Sequence, residues 1–293
     1  MQILINFIIF IVILFLYVHI NYHLKTSNDL EIFEADKLAK DNLEEICNFK
    51  QPVLFNFDNT EIIENISSKN MQDNYKSFDI NIRNIKDYDL DDNTFLPINY
   101  NNAQKLFIND LSNTYISENN NDFINETTLH KHIISNDMYL RPYMTSSCSY
   151  DILLGSVNSH TPLRYELNYR NFYLVTDGEI EIMLTIPQNY KYLDIIKDYS
   201  NFEFRSKMNP YNIDKKHENN FSKVKFLTVT LKKNDIIYIP PRWFYSIKII
   251  QPNTIVCIFK YMIIMNNLAI LPEFFMKFLQ DNNIKHKFLN IIN

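Results

Sequence analysis

Three histidines in the middle of the chain are the side chains best suited to hold a metal. His130 and His132 lie two residues apart, so on a strand they would point to the same side, and His160 precedes a Thr-Pro pair. With a nearby acidic residue, such imidazoles could ligate zinc or iron. Isolated surface or loop histidines are commoner than ligands, however. The sequence therefore leaves a metal site at His130, His132 or His160 only as an alternative.

Other site chemistries find little support in the residue types. The chain has 2 glycines, too few for the clustered glycines of phosphate loops and dinucleotide fingerprints. Cys47, Cys148 and Cys257 are scattered without a CxxC spacing, which predicts buried thiols rather than zinc ligands or disulfides. The serines and cysteines show no nucleophile-elbow motif. The net charge is −5 and no basic face is evident, so we expect no nucleic-acid partner.

An apolar segment at the N-terminus predicts a membrane helix. Residues 3–20 are interrupted only by Asn6 and His19, and no formal charge precedes Lys25. Such a run is long enough to cross a bilayer. It lacks the basic n-region and the small-residue cleavage site of a secretory signal peptide, which favours an uncleaved, single-pass signal-anchor over residues 1–22.

The side of the membrane on which the rest of the chain lies stays open. Lys25 on the C-terminal flank favours a cytosolic body under the positive-inside tendency. Three Asn-x-Ser/Thr triplets would instead suit a lumenal body, at Asn65, Asn125 and Asn220. Such triplets also arise by chance in an Asn-rich chain, so localisation is predicted only as membrane, single-pass.

Behind the anchor, the pattern predicts a polar tether over residues 23–35 and one domain over residues 36–293. Residues 36–137 mix helical stretches with short strands, residues 138–262 are predominantly β, and residues 263–293 are helical. Short strands separated by turn residues at this spacing predict a sandwich or barrel.

Two local signals within the domain are specific enough to test. Apolar runs on both sides of Asp177-Gly178 predict a tight β-hairpin, because this dipeptide accepts positive φ angles. The C-terminal helix begins near Pro272 and carries an apolar face. That face would cap the barrel or mediate a homodimer; its residues are Leu271, Phe274, Phe275 and Phe278.

Two stretches of the β region carry a family resemblance. The first is "GSVNSHTPLRYELNYRNFYLVTDGEIEIMLTIP", Gly155 to Pro187, and the second is "LKKNDIIYIPPRWFYSIKI", Leu231 to Ile249. They resemble the Gly-Ser-x-Thr-Pro-x-His-x-Asp stretch and the Gly-Asp-x-x-x-Ile-Pro, Trp, His stretch of the JmjC/cupin-like Fe(II)- and 2-oxoglutarate-dependent oxygenases. The resemblance implies a mainly β fold with flanking helices, in which a double-stranded β-helix forms a jelly-roll or cupin barrel.

The resemblance also marks where a metal would be held. In the family, two histidines and one carboxylate bind one face of iron. By resemblance the histidine positions are Arg164 and Tyr245, the carboxylate position is Glu166, and Ile180 takes the place of a lysine that pairs with the cosubstrate. Arginine cannot lose its proton and so cannot ligate iron. The chain therefore resembles a degenerate member that lacks the metal ligands.

In such a member, the guanidinium of Arg164 would take roughly the place of the metal cation. It would pair with Glu166 and form a hydrogen bond with the Tyr245 hydroxyl, which would compensate a carboxylate that is costly to bury alone. The rest of the pocket is expected to persist around it, at Thr161, Asn171, Ile180 and Trp243.

The sequence thus predicts a membrane-anchored, catalytically inactive cupin-like protein with a binding or structural role and no cofactor. Its expected partners are the membrane, through residues 3–20, a protein or small polar ligand in the barrel, and a second copy through the C-terminal helices. The alternative is an active hydroxylase that uses Fe(II) and 2-oxoglutarate at a non-standard metal site. A carbohydrate- or ligand-binding jelly roll that uses Tyr165, Tyr169 and Tyr173 ranks last, because most aromatic side chains are core.

Overall fold

Two sheets, whose strands pair mostly in antiparallel fashion, face each other in the computed structural model. The structure describes residues 1–86, 95–199 and 201–292, with side chains described as far as residue 283. The helices are, in chain order, α1 (Gln2–Leu24), α2 (Lys40–Asn48), α3 (Thr60–Asn65), α4 (Ser68–Asn74), α5 (Tyr100–Asn109), α6 (Asn121–Glu126), α7 (Leu129–Asn136), α8 (Glu218–Phe221), α9 (Ile264–Ala269) and α10 (Leu271–Ile292). The strands are β1 (Phe33–Ala35), β2 (Val53–Asn56), β3 (Asp79–Asn84), β4 (Leu96–Asn99), β5 (Tyr115–Ser117), β6 (Thr145–Gly155), β7 (Arg164–Tyr165), β8 (Arg170–Asp177), β9 (Glu179–Thr185), β10 (Ile195–Asp198), β11 (Glu203–Ser206), β12 (Leu227–Lys232), β13 (Asp235–Tyr238), β14 (Phe244–Ile249) and β15 (Ile255–Ile263).

The strands of the barrel alternate between the two sheets. The larger sheet has nine strands in the order β1-β2-β13-β8-β15-β6-β5-β3-β4, and the smaller has six in the order β10-β11-β7-β14-β9-β12. Successive strands β8 and β9, and again β14 and β15, lie in different sheets. This arrangement confirms the expected mainly β fold with flanking helices.

The space between the sheets is the main apolar core. Side chains from both sheets meet there, including Tyr173 of β8, Tyr245 of β14 and Ile258 of β15, and all are almost fully buried. Strand β15 shows why the sequence folds in this way, because its residues alternate between two environments. Val256 and Ile258 face the barrel interior, whereas the intervening residues pack outside it; these are Ile255, Cys257, Phe259 and Tyr261.

The predicted hairpin at Asp177-Gly178 is wrong. Strand β8 pairs with β13 and β15, and β9 pairs with β12 and β14, so the dipeptide turns the chain from one sheet to the other. Gly178 has φ +76°, and a Cβ there would lie 2.8 Å from the Thr254 Cα. Only glycine fits this corner without strain. A periodicity pattern cannot reveal the change of sheet, because both flanking runs are buried.

Two secondary-structure expectations also change. Residues 33–35, at the end of the predicted tether, form strand β1, which pairs in parallel with β2. His130 and His132 lie on α7, not on a strand. Two positions on a helix are about 200° apart around its axis, so their side chains do not share a face.

The apolar helix α1 is long and apolar enough to cross a membrane, as a signal sequence also is. Residues 1–15 are exposed on every side, but the last turns pack against the domain: Leu16, His19 and Ile20 are partly covered and His23 is buried. The segment predicted as a tether does not stand free, since Leu30 and Ile32 pack against the barrel core. Helix α1 is therefore seated directly on the domain.

Candidate functional site

Strand pairing brings the sequence-predicted site residues to one place inside the barrel. Tyr245 of β14 lies opposite Arg164 of β7, and Arg205 of β11 lies opposite Arg164 on its other side. Because residues opposite one another in antiparallel strands point to the same face, all three enter the interior. The Arg164 guanidinium carbon lies 5.8 Å from the centre of the Tyr245 ring.

Arg164 is held by carboxylates that the sequence did not indicate. Its terminal nitrogens lie 2.5 Å from Glu118 Oε2 and 3.2 Å from Glu203 Oε1. Its Nε donates to the Tyr245 hydroxyl at 3.3 Å. The expected contact with Tyr245 thus forms, whereas the ion-pair partners are Glu118 and Glu203 in place of Glu166.

Glu166 has a different cationic partner. Lys260 Nζ lies 2.9 Å from Glu166 Oε1, and the Tyr245 hydroxyl donates to the same oxygen at 3.2 Å. That hydroxyl also accepts from Tyr173 at 2.7 Å. Tyr245 therefore joins the Arg164 side of the site to the Glu166 side.

Lys260 was not among the predicted site residues, although its position on β15 indicates that it belongs to the site. It lies on β15 in step with Val256 and Ile258, which face the interior. A charged residue on the buried side of an otherwise apolar strand marks a site, because burying an unpaired charge is costly.

Further charges complete what we call the interior ion network, which comprises Arg83, Glu118, Arg164, Glu166, Glu203, Arg205 and Lys260. Arg83 pairs with Glu118, and with Glu203 at 3.3 Å. Arg205 lies 3.7 Å from Glu203. The four cations of the network thus each have an acidic partner among Glu118, Glu166 and Glu203.

Burial and neighbouring charges within the network shift the pKa values of its carboxyl and phenol groups. Burial alone would raise the pKa of Glu203, but the guanidinium groups of Arg83, Arg164 and Arg205 hold it at about 2. Burial raises the pKa of the Tyr245 hydroxyl to about 12, and burial also raises the pKa of Tyr173 well above its ordinary value. Glu203 is thus a carboxylate at neutral pH, and both phenols keep their protons.

Exposure rises from one end of the network to the other. The Glu118 side chain is 1% exposed and the Arg164 side chain 9%. Glu166 and Lys260 reach 15% and 22%. A molecule that entered from solvent would therefore meet the Glu166–Lys260 pair first.

The residues expected to persist around the site have structural contacts. The Thr161 hydroxyl accepts from the backbone N–H of Ile247, and the Asn171 amide donates to the Ile239 carbonyl. Ile180 is fully buried in the barrel core. Trp243 is also fully buried, and its indole Nε1 has no hydrogen-bond partner among the described atoms.

The three histidines are not brought together. His132 Nδ1 lies 3.1 Å from Glu61 at the surface, and the His130 ring contacts Tyr150. His160 is held by Asn209 and the Thr161 carbonyl and lines a separate cavity of about 400 Å³. Within the part of the chain that the structure describes, no three His, Cys, Asp or Glu side chains form a group that could hold a metal.

The donor set at the site does not fit iron. Of the three positions assigned by resemblance, Arg164 is a cation that cannot deprotonate, and Tyr245 keeps its proton. Glu166 could ligate, but one of its oxygens already accepts from Lys260 and Tyr245. A facial triad needs three ligands with free lone pairs, and of these three positions only Glu166 could supply one.

The two facing sheets with strands that alternate between them define a cupin-type double-stranded β-helix. Comparison with known families agrees, because the cupin-like domain family matches residues 24–265. The chain belongs to this family, and the match begins where α1 ends. A search of curated proteins gave no match.

Proposed function

We propose that this chain is a membrane-anchored cupin-like protein that does not catalyse iron- and 2-oxoglutarate-dependent oxidation and has a binding or structural role. One observation carries the proposal. The position that resemblance assigns to the first iron ligand holds Arg164, whose guanidinium bonds with Glu118, Glu203 and Tyr245. A fixed organic cation takes the place of a metal cation and neutralises the same kind of buried acid.

The charges of the site disfavour binding of 2-oxoglutarate. The cosubstrate is a dicarboxylate and would need uncompensated positive charge. In the interior ion network the amine of Lys260 is paired with Glu166, and the guanidinium groups have acidic neighbours. Ile180, at the position assigned to a cosubstrate lysine, is apolar and fully buried. An incoming dianion would have to displace an existing carboxylate to gain a partner.

A binding role would use the more exposed end of the site. Glu166 and Lys260, the most exposed members of the interior ion network, offer one acceptor and one donor of opposite charge. A small polar ligand or a polar side chain of a protein partner that carries both a donor and an acceptor could bridge them. The membrane helix would hold that site at a bilayer surface.

The test is to measure iron and turnover on the same sample. The full chain, purified in detergent without oxygen, is loaded with Fe(II) and 2-oxoglutarate; bound iron is measured by mass spectrometry, and succinate is measured after oxygen is admitted. We expect no stoichiometric iron and no succinate above the protein-free rate. One iron per chain together with succinate formation would overturn the proposal.

Three variants separate that outcome from adventitious metal. An active site built on relocated histidines would lose its iron in His130→Ala or His160→Ala and keep it in Arg164→Ala. Iron bound non-specifically would change in none of the three and would support no turnover, which leaves the proposal standing.

A further inference from the structure

An ordinary amphipathic surface helix packs its apolar side against the domain, whereas helix α10 does the reverse. Its polar side faces the domain: Glu273 pairs with Arg242, and Gln280 accepts from the Tyr199 backbone N–H. Lys277 donates to the Tyr199 carbonyl. These residues recur at spacings of three or four, so they form one face of the helix. The domain therefore holds α10 by these polar contacts and by the Phe274 ring, which stacks on Phe202, and leaves the other side of α10 to the surroundings.

The outward side is apolar and continues onto α9. At a spacing of three or four residues, a row of large hydrophobic side chains is 38–61% exposed. These side chains are Ile264, Leu268, Leu271, Phe275, Phe278 and Leu279. We call this row the α9–α10 stripe. Apolar surface in contact with water is unfavourable in proportion to its area, and a contiguous row of this size marks an interaction surface.

The stripe lies beside the helix that would enter a membrane. Helices α1 and α9 pack against each other, and the covered side of α1 is Leu16, His19, Ile20 and His23, a spacing of one helical face. Lys50, itself buried, fixes the end of α1, because its Nζ donates to the carbonyls of Tyr22 and Lys25 at 2.5 and 2.7 Å. The domain therefore cannot swing freely below α1.

Lengths show how deep this contact must lie. The freely exposed part of α1, residues 1–15, is about 22 Å long at 1.5 Å per residue. The hydrocarbon core of a bilayer is about 30 Å thick. A spanning α1 must therefore place residues 16–20 in the hydrocarbon as well. The covered side of α1 begins in that segment, and α1 packs on α9, so α9 lies close to the membrane boundary.

We infer that the α9–α10 stripe inserts its side chains into the bilayer interface next to α1, so that the domain is seated on the lipid in one orientation. This inference rests on the proposed membrane anchoring. The occupant is a lipid surface, because the stripe continues from a helix that needs lipid around it. Aromatic side chains such as Phe275 and Phe278 suit an interfacial helix whose apolar face is buried.

Collision accessibility of spin labels tests the inference on the full chain. In a Cys148→Ser background, with Cys47 and Cys257 buried, single labels are introduced by Phe275→Cys, Phe278→Cys, Phe10→Cys and Leu111→Cys. The protein is placed in nanodiscs of phosphatidylcholine and phosphatidylglycerol. Leu111 is the matched control, since it is 98% exposed and lies beside β5, toward the edge of the large sheet opposite to β1.

Labels at 275 and 278 should collide more with oxygen than with a water-soluble nickel chelate, as the label at 10 does, and the label at 111 should show the reverse. If 275 and 278 behave like 111 while 10 lies in lipid, the anchor stands and the seating is wrong. If 10 is in water, both fail. If 275 and 278 are shielded from both reagents and are coupled to a label on a second copy, a homodimer covers the stripe, and the inference is overturned.

Discussion

Two buried arginines six residues apart, Arg164 and Arg170, meet different partners. Arg164 lies inside the barrel and bonds with the carboxylates of Glu118 and Glu203. Arg170 lies on the other side of β8, where it donates to the Cys47 carbonyl at 3.1 Å. It also donates to neutral oxygens of Asn48 and Tyr238.

The difference distinguishes Arg170, which joins structural elements, from Arg164, which belongs to the candidate functional site. Arg170 bonds the carbonyls at the end of α2, which is a common way to complete a helix C-terminus. Its other acceptors are mostly neutral oxygens, although the carboxylate of Glu44, also on α2, lies 3.5 Å from its guanidinium, and it fixes α2 to β8. Arg164 belongs to a set of opposed charges in which Glu166 and Lys260 are the most exposed members. The Arg170 contacts thus join structural elements, whereas the Arg164 contacts belong to the network of opposed charges on which the proposed binding role rests.

The largest expected effect comes from Arg164→Met. The substitution leaves Glu118 and Glu203 short of a partner, and breaking a buried pair on one side costs about 3–5 kcal/mol. Denaturation of the full chain in detergent, followed through the single tryptophan, Trp243, measures the free energy of unfolding. Lys233→Met is the control, because its pair with Asp177 is exposed and should be worth less than about 1 kcal/mol. Equal losses in the two variants would contradict the account.

Acid should weaken the fold through Glu203. Its pKa is about 2 in the folded protein and about 4.3 in an unfolded chain. The folded state therefore binds fewer protons, and the stabilisation is present above about pH 4.3 and lost as the pH falls toward 2. The loss is about 3 kcal/mol. In Glu203→Gln this part of the pH dependence should disappear, and an unchanged pH profile would show that Glu203 is not held as a carboxylate by its arginines.

Arg170→Leu should cost less, about 2 kcal/mol, since most of the acceptors it leaves unpaired are neutral oxygens. Its acidic partner, Glu44, has an 18% exposed side chain that water can still reach. The energetic coupling of each arginine to Glu118 should also differ. The effect of Arg170→Leu should add to that of Glu118→Gln, whereas Arg164→Met and Glu118→Gln share a partner and should be non-additive. A double-mutant cycle by the same denaturation measurement distinguishes them, and coupling of Arg170 to Glu118 would remove the distinction drawn between the two centres.

The smallest effect belongs to the tyrosine hydroxyls. Tyr245→Phe removes the group that joins Arg164 to Glu166 and should cost about 1 kcal/mol. Tyr238→Phe is its counterpart at Arg170 and should cost a similar amount. Crystal structures of the two variants distinguish them. Glu166 and Lys260 should move in Tyr245→Phe and should stay in place in Tyr238→Phe.

The sequence indicated the fold and half of the site. The resemblance, carried by the two stretches around Thr161-Pro162 and Trp243, put Arg164, Glu166 and Tyr245 near one another. Strand pairing joins Arg164 to Tyr245, and the Tyr245 hydroxyl reaches Glu166. Glu118 and Glu203 could not be foreseen, because each follows or begins a short strand far away in the chain and joins the site only through sheet register. Asp177-Gly178 was misread because a corner between sheets and a hairpin both need a glycine at positive φ.

The central claim is that a guanidinium, not iron, occupies the family's metal position. Crystals of the full chain grown without oxygen in Fe(II) and 2-oxoglutarate, with data collected on both sides of the iron absorption edge, test it most directly. The account predicts no anomalous peak between Arg164, Glu166 and Tyr245, with Arg164 still bonded to Glu118 and Glu203. An iron peak bound by Glu166, with Arg164 turned away, would contradict it.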